Sequence, residues 1–64
     1  MSKKRRGGFV FLSYKGDHSP RHVHVYCDGR FVVKWDLESG VVMQGSITAR
    51  IKSLIEELES EGAL

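Results

Sequence analysis

The chain holds the pattern for one helix and no more. Ile47, Ile51, Leu54, Ile55 and Leu58 recur at spacings of 4, 3, 1 and 3, which places them on a single helical stripe. Ser46 or Thr48 can cap its start, and Gly62 can end it. Arg50, Lys52, Glu56, Glu57 and Glu59 then face solvent. Everything upstream reads as strand and turn. Phe9–Tyr14, about His22–Tyr26, about Arg30–Asp36 and Val41–Met43 are rich in aromatic and β-branched residues and are separated by Gly, Asp and Ser. The order predicts an α+β domain, a small antiparallel β-meander of three to four strands packed against one C-terminal α-helix. Residues 1–7 are expected to form a flexible basic N-terminal tail, and 8–64 the single domain.

Sixty-four residues lie near the lower limit for folding around one core. A metal, a partner or self-association would add stability to so small a core. The lone cysteine, Cys27, rules out an intramolecular disulfide and fits a reducing compartment, so the expected location is the cytoplasm. The basic start is followed by only four apolar residues, Phe9–Leu12, fewer than the roughly 7–15 of a signal-peptide core. No stretch approaches the ~20 apolar residues of a membrane span, so no membrane role is expected. Charge is segregated along the chain. Residues 1–34 carry eight Lys/Arg and two Asp, whereas residues 35–64 carry two Lys/Arg and six Asp/Glu. The basic half can meet phosphate or an acidic partner, or can serve solubility alone.

The densest chemistry is a histidine segment, Asp17-His18-Ser19-Pro20-Arg21-His22-Val23-His24-Val25. The register of the hairpin at Asp28-Gly29 decides where these histidines point. A two-residue loop opposes Tyr26 to Phe31 and His24 to Val33, which mixes apolar and polar residues on both faces. A three-residue loop, Cys27-Asp28-Gly29, pairs Tyr26 with Arg30 instead. Val23, Val25, Phe31, Val33 and Trp35 then share one face, and His22, His24, Tyr26, Arg30 and Lys34 the other, interrupted by Val32. A buried face specifies register strongly, so the three-residue loop is the expected one. It predicts an accessible, cationic, histidine-bearing face.

Several readings of that face compete. His22 and His24 lie two apart on a strand, with Cα atoms roughly 7 Å apart on one side. With His18, or Asp17, they could hold zinc or another divalent metal, although Arg21, Arg30 and Lys34 would repel a cation. No cofactor is otherwise expected. Alternatively, His22 and His24 could act as general base and acid in metal-independent RNA hydrolysis, with Arg21 or Lys34 stabilising charge on phosphate. A third reading is binding without chemistry. A protein partner could dock by strand addition, and the basic sheet face and basic tail, with Tyr14 or Tyr26 available for stacking, could contact nucleic acid. Edge strands at Phe9–Tyr14 and Val41–Met43 would also permit a homodimer. The plainest reading is that all three histidines hydrogen-bond the turn and hairpin.

The histidine segment, with Asp28-Gly29 and Lys34-Trp35-Asp36-Leu37-Glu38, resembles a bacterial and archaeal family known as domain of unknown function 4160. Its hallmark is an acidic residue and His, a proline-containing stretch, then His-Val-His-Val, and this chain carries Ser19 and Arg21 beside the proline. The likeness runs from about Phe9 into the helix. The resemblance implies a small protein of unassigned activity, often encoded beside a second small protein in an arrangement similar to a toxin–antitoxin pair.

The expectation taken forward is an interaction module. His18, Arg21, His22, His24 and Lys34 are its expected binding residues, and a protein is its first expected partner. The residues do not decide whether the chain is an enzyme, and the ribonuclease and metal readings stand as alternatives.

Overall fold

In a computed structural model, residues 2–13 and 21–64 are described, with the side chain of Ser2 left aside. Five strands, β1 (Ser2–Arg6), β2 (Phe9–Ser13), β3 (His22–Cys27), β4 (Arg30–Asp36) and β5 (Val41–Gly45), precede one helix, α1 (Ala49–Ser60). The strands form a single antiparallel sheet in the order β1-β2-β3-β4-β5, so every neighbour in sequence is a neighbour in space. The α+β meander with a C-terminal helix is as expected, with one strand more than the sequence suggested.

The additional strand is β1, formed by residues that read as a polar tail. It pairs with β2 from Ser2↔Ser13 to Arg6↔Phe9 across Gly7-Gly8. Both glycines take positive φ, 61° and 83°, the geometry of a tight hairpin turn whose twist matches the flanking strands. Gly-Gly is thus a turn signal in its own right. Lys and Arg have no strand pattern to display, so the turn is the only sequence mark of this strand. Arg6 ties β1 to the helix, donating to the Glu61 carboxylate at 2.5 and 2.8 Å and to Glu57 at 3.4 Å.

The helix begins as its sequence indicates. Thr48, not Ser46, is the N-cap, its hydroxyl accepting from the Ile51 amide at 3.2 Å. Gly62, at φ 72°, follows the last turn. The Gly62 amide donates to the Glu59 carbonyl and the Ala63 amide to the Leu58 carbonyl, the paired bonds of a glycine-terminated helix. Ile51, Leu54, Ile55 and Leu58 are buried against Phe11, Val23, Val25, Val33 and Trp35. Each fully buried aliphatic or Phe side chain contributes about 1.5–3 kcal/mol, so these nine residues dominate the stability of the domain. Ile47 packs at the margin of the cluster.

The hairpin between β3 and β4 combines features of both expected registers. Its loop has two residues, Asp28 at φ 52° and Gly29 at φ 75°, closing with Cys27↔Arg30 and Tyr26↔Phe31. Beyond it the register shifts, and Val25 pairs with Val33, His24 with Lys34, Val23 with Trp35 and His22 with Asp36. Val32 is the extra residue, a β-bulge inside β4. The expected three-residue loop is therefore corrected, while the burial it was chosen to explain survives from Val33 onward. Phe31 moves from the expected apolar face to the histidine face, and Arg30 leaves that face. A second shift lies between Lys34 and Trp35, leaving Met43 as the extra residue of β5.

Candidate functional site

With α1 over one side of the sheet, strand alternation and pairing define what lies on the other. Two rows cross this open face. One runs Arg5, Val10, Tyr26, Phe31, and the next Lys3, Leu12, His24, Lys34, Gln44. His22 and Asp36 follow beyond the second row. Phe9 and Phe11 face the helix, so Val10 and Leu12 are the half-buried aliphatic floor of the open side.

The aromatic groups form a connected line. His22 and His24 meet edge to face with ring centroids 5.1 Å apart, His24 and Phe31 lie at 6.4 Å, and Tyr26 and Phe31 meet edge to face at 5.8 Å. Beside them, Lys3, Arg5, Val10, Leu12, Tyr26 and Gly29 line a shallow cavity of about 430 Å³. The expected face of His22, His24 and Lys34 is thus present. Phe31 joins it from the expected apolar face, and Lys3 and Arg5 join it from a strand that reads in the sequence as a tail.

Other expected residues lie elsewhere. Arg21 is drawn away from the open face. Its backbone amide donates to the Glu38 carboxylate at 2.5 Å, its carbonyl accepts from the Leu37 amide, and its guanidinium reaches the Leu64 carbonyl at 3.1 Å. His18, together with Asp17 and Tyr14, lies outside the described residues. Among the described residues, no group of three His, Cys, Asp or Glu side chains is placed to hold a metal ion.

Asp36, next to His22 across the strands, is largely buried and holds the β4–β5 turn. Its Oδ1 accepts from the amides of Glu38 at 2.8 Å and Ser39 at 3.1 Å. Hydrogen bonds from Ser39, then the Glu38 amide and the neighbouring His22, hold its carboxyl below the usual carboxylate range against the opposing pull of burial. At the opposite corner, the Arg6 guanidinium holds the Glu61 carboxyl low in the same way.

The sheet edges differ as sharply as its faces. Among the described residues, four large hydrophobic side chains are exposed, Phe31 at 41%, Val41 at 52%, Val42 at 38% and Met43 at 42%. Three of the four are consecutive on β5, which among the described strands is an edge of the sheet. At the end of this strand the Ser46 amide donates to the Val32 carbonyl at 3.2 Å, and Gly45, at φ 85°, lies against the same peptide.

Residues 8–61 match the family described as Domain of unknown function (DUF4160). The chain belongs to that family. The match spans β2 to the end of α1, and so takes in most of the open face and all of β5 while leaving out β1. No curated protein and no solved structure matches the chain. No helix among the described residues is long and apolar enough to cross a membrane.

Proposed function

We propose that this member of the family is a protein-interaction module that takes a strand of a partner polypeptide onto β5. The observation that carries this reading is the run Val41-Val42-Met43, exposed on a strand that is an edge of the sheet among the described residues. An added strand would bond to the outward N–H and C=O groups of β5, and the apolar side chains would supply burial on association. A second polypeptide is the ligand that uses both features at once. The role fits a small cytoplasmic protein working with another small protein, as in a toxin–antitoxin-like pair.

Catalysis by the histidine pair has less support. A general base and a general acid acting on a phosphodiester need the phosphate between them. The His22 and His24 rings touch edge to face at 5.1 Å, which suits a packed aromatic line better than a cleft for a substrate.

The test compares the untagged protein at natural expression level with a Val41→Lys/Met43→Lys variant by native mass spectrometry. A polypeptide bound to the wild type and lost from the folded variant is the expected result, and its mass separates a second copy from a different protein. A bare monomer, or a partner retained by the variant, would overturn the proposal.

A further inference from the structure

The open face of the sheet is a second surface, independent of the β5 edge. We infer that it binds single-stranded nucleic acid, with bases stacking on Tyr26 and the His22–His24–Phe31 line and phosphates held by Lys3, Arg5 and Lys34.

Three observations converge on this ligand. First, flat rings are gathered on one face of the sheet. Tyr26, His24 and Phe31 lie on the face opposite α1, and their ring contacts pin them as a preassembled platform. Aromatic residues on an open sheet are a recurring way to stack unpaired bases, because every base has a π-face. Secondly, the charges sit where a backbone would run. Each row across the sheet begins with a β1 cation, continues through an aliphatic residue of β2 and reaches an aromatic ring on β3, as Arg5-Val10-Tyr26 and Lys3-Leu12-His24. The second row ends in another cation, Lys34. Among the described residues, the acidic side chain assigned to this face by register is Asp36, and its Oδ1 is engaged by two turn amides. The acidic side chains Glu56, Glu57, Glu59 and Glu61 lie on or just after the helix, across the core. Thirdly, the cavity of about 430 Å³ is bounded by Tyr26 on its aromatic side and by Lys3 and Arg5 on its cationic side. It therefore offers a ring to a base and two cations to the adjoining phosphates.

A duplex hides its base faces and cannot use the platform, whereas a bare polyanion can use only the cations. The arrangement therefore selects unpaired strands over both. Ribose and deoxyribose share the chemistry recognised here, namely base face and phosphate.

Fluorescence anisotropy with labelled 12-nucleotide single-stranded RNA and DNA, a 12-base-pair duplex and inorganic polyphosphate tests the inference. Affinity for at least one single strand in the range of about 1–100 μM at 50 mM salt is expected, with weaker binding to duplex and polyphosphate. Lys3→Ala/Arg5→Ala should reduce the slope of log K against log salt by about 1.4, for two phosphates at about 0.7 each. Tyr26→Leu, which keeps apolar bulk without a ring, should weaken binding at least about fivefold, and Tyr26→Phe should retain it. The Val41→Lys/Met43→Lys variant should bind strands at least as well as wild type, which separates this surface from the β5 edge. Absence of binding, equal affinity for duplex or polyphosphate, or wild-type affinity in folded Tyr26→Leu would each overturn the inference. A preference between the RNA and DNA arms would name the biological strand.

Discussion

The two edges of one sheet solve the same problem in opposite ways. β1 is Ser-Lys-Lys-Arg-Arg, and an incoming strand would have to bury its cations. β5 is Val-Val-Met-Gln-Gly, with nothing charged along its length. Charged edge strands resist pairing with other chains, whereas long apolar ones invite it. Their attachments differ too. β1 is joined to the helix through an ion pair at the surface, between Arg6 and Glu61. β5 is held by close backbone approach, with Gly45 against Val32. One edge is thus closed to strands but available to anions, and the other is open to strands. A chain of this size can present two surfaces of different chemistry because the meander puts its first and last strands at opposite limits of the sheet.

Substitution at Gly45 should break that comparison most severely. A Cβ there would stand 2.2 Å from the Val32 carbonyl oxygen, at a φ of 85° that side chains avoid. Gly45→Ala should cost about 3 kcal/mol, combining unfavourable backbone conformation with displacement of the β5 end. Urea unfolding followed by Trp35 fluorescence would measure it. Gly7→Ala is the matching change at the other edge, where a Cβ meets the flexible ends of Leu54 and Arg50 at 2.8 and 2.9 Å. The Arg50 end can move aside and the Leu54 methyl must shift within the core, so the expected loss is about 1–2 kcal/mol, set mainly by the positive φ. A larger loss at Gly7 than at Gly45 would show that close backbone approach is not what secures β5.

Exchanging the character of the edges sharpens the contrast. Val41→Lys/Met43→Lys should change folding stability by only about 0.5 kcal/mol, since both side chains are exposed, while removing the ability of β5 to take a strand. Lys3→Val/Arg5→Val should make β1 an associating edge, seen as concentration-dependent growth of particle size in light scattering.

Acid titration gives the smallest effect. Asp36 and Glu61 both have folded pKa values below their unfolded ones, so each binds a proton more readily in the unfolded chain. Their contribution to stability is complete above the usual carboxylate range and is lost as pH falls through the folded values. Stability should therefore decline below about pH 4. Asp36→Asn should flatten that decline at any ionic strength, whereas the Glu61 part should shrink in high salt, because exposed ion pairs are screened.

The sequence made the helix and the core legible and left the edges obscure, for physical reasons. The stripe from Ile51 to Leu58 needs only periodicity to be seen, and all four of its central residues are buried. Val23, Val25, Val33 and Trp35 were equally legible, because a buried face constrains its own register. The turn at Asp28-Gly29 was visible, but the compensating bulge was not. Val32-Val33 is a uniform pair, and nothing local says which Val is unpaired. β1 was hidden because a solvated edge demands no pattern of its residues. On the open face, His22, His24 and Lys34 could be placed from alternation. Phe31 depended on the bulge, and Lys3 and Arg5 on recognising Gly7-Gly8 as a turn. The reach of Arg21 to Leu64 joins distant parts of the chain, which no local pattern displays.

The bulge at Val32 also divides the β3–β4 hairpin into two separately indexed segments. Without it, Tyr26↔Phe31 would run directly into Val25↔Val33 as an unbroken ladder. A chain one valine shorter in the Val32-Val33 pair therefore keeps both the turn and the core pairing, with the remaining valine opposite Val25. Val32 behaves as a spacer, so the tip can change in length by one residue without re-addressing the interior. A single-residue gap there would spare the pairs of β3 with β4 and fall instead on the end of β5, which the Val32 peptide holds.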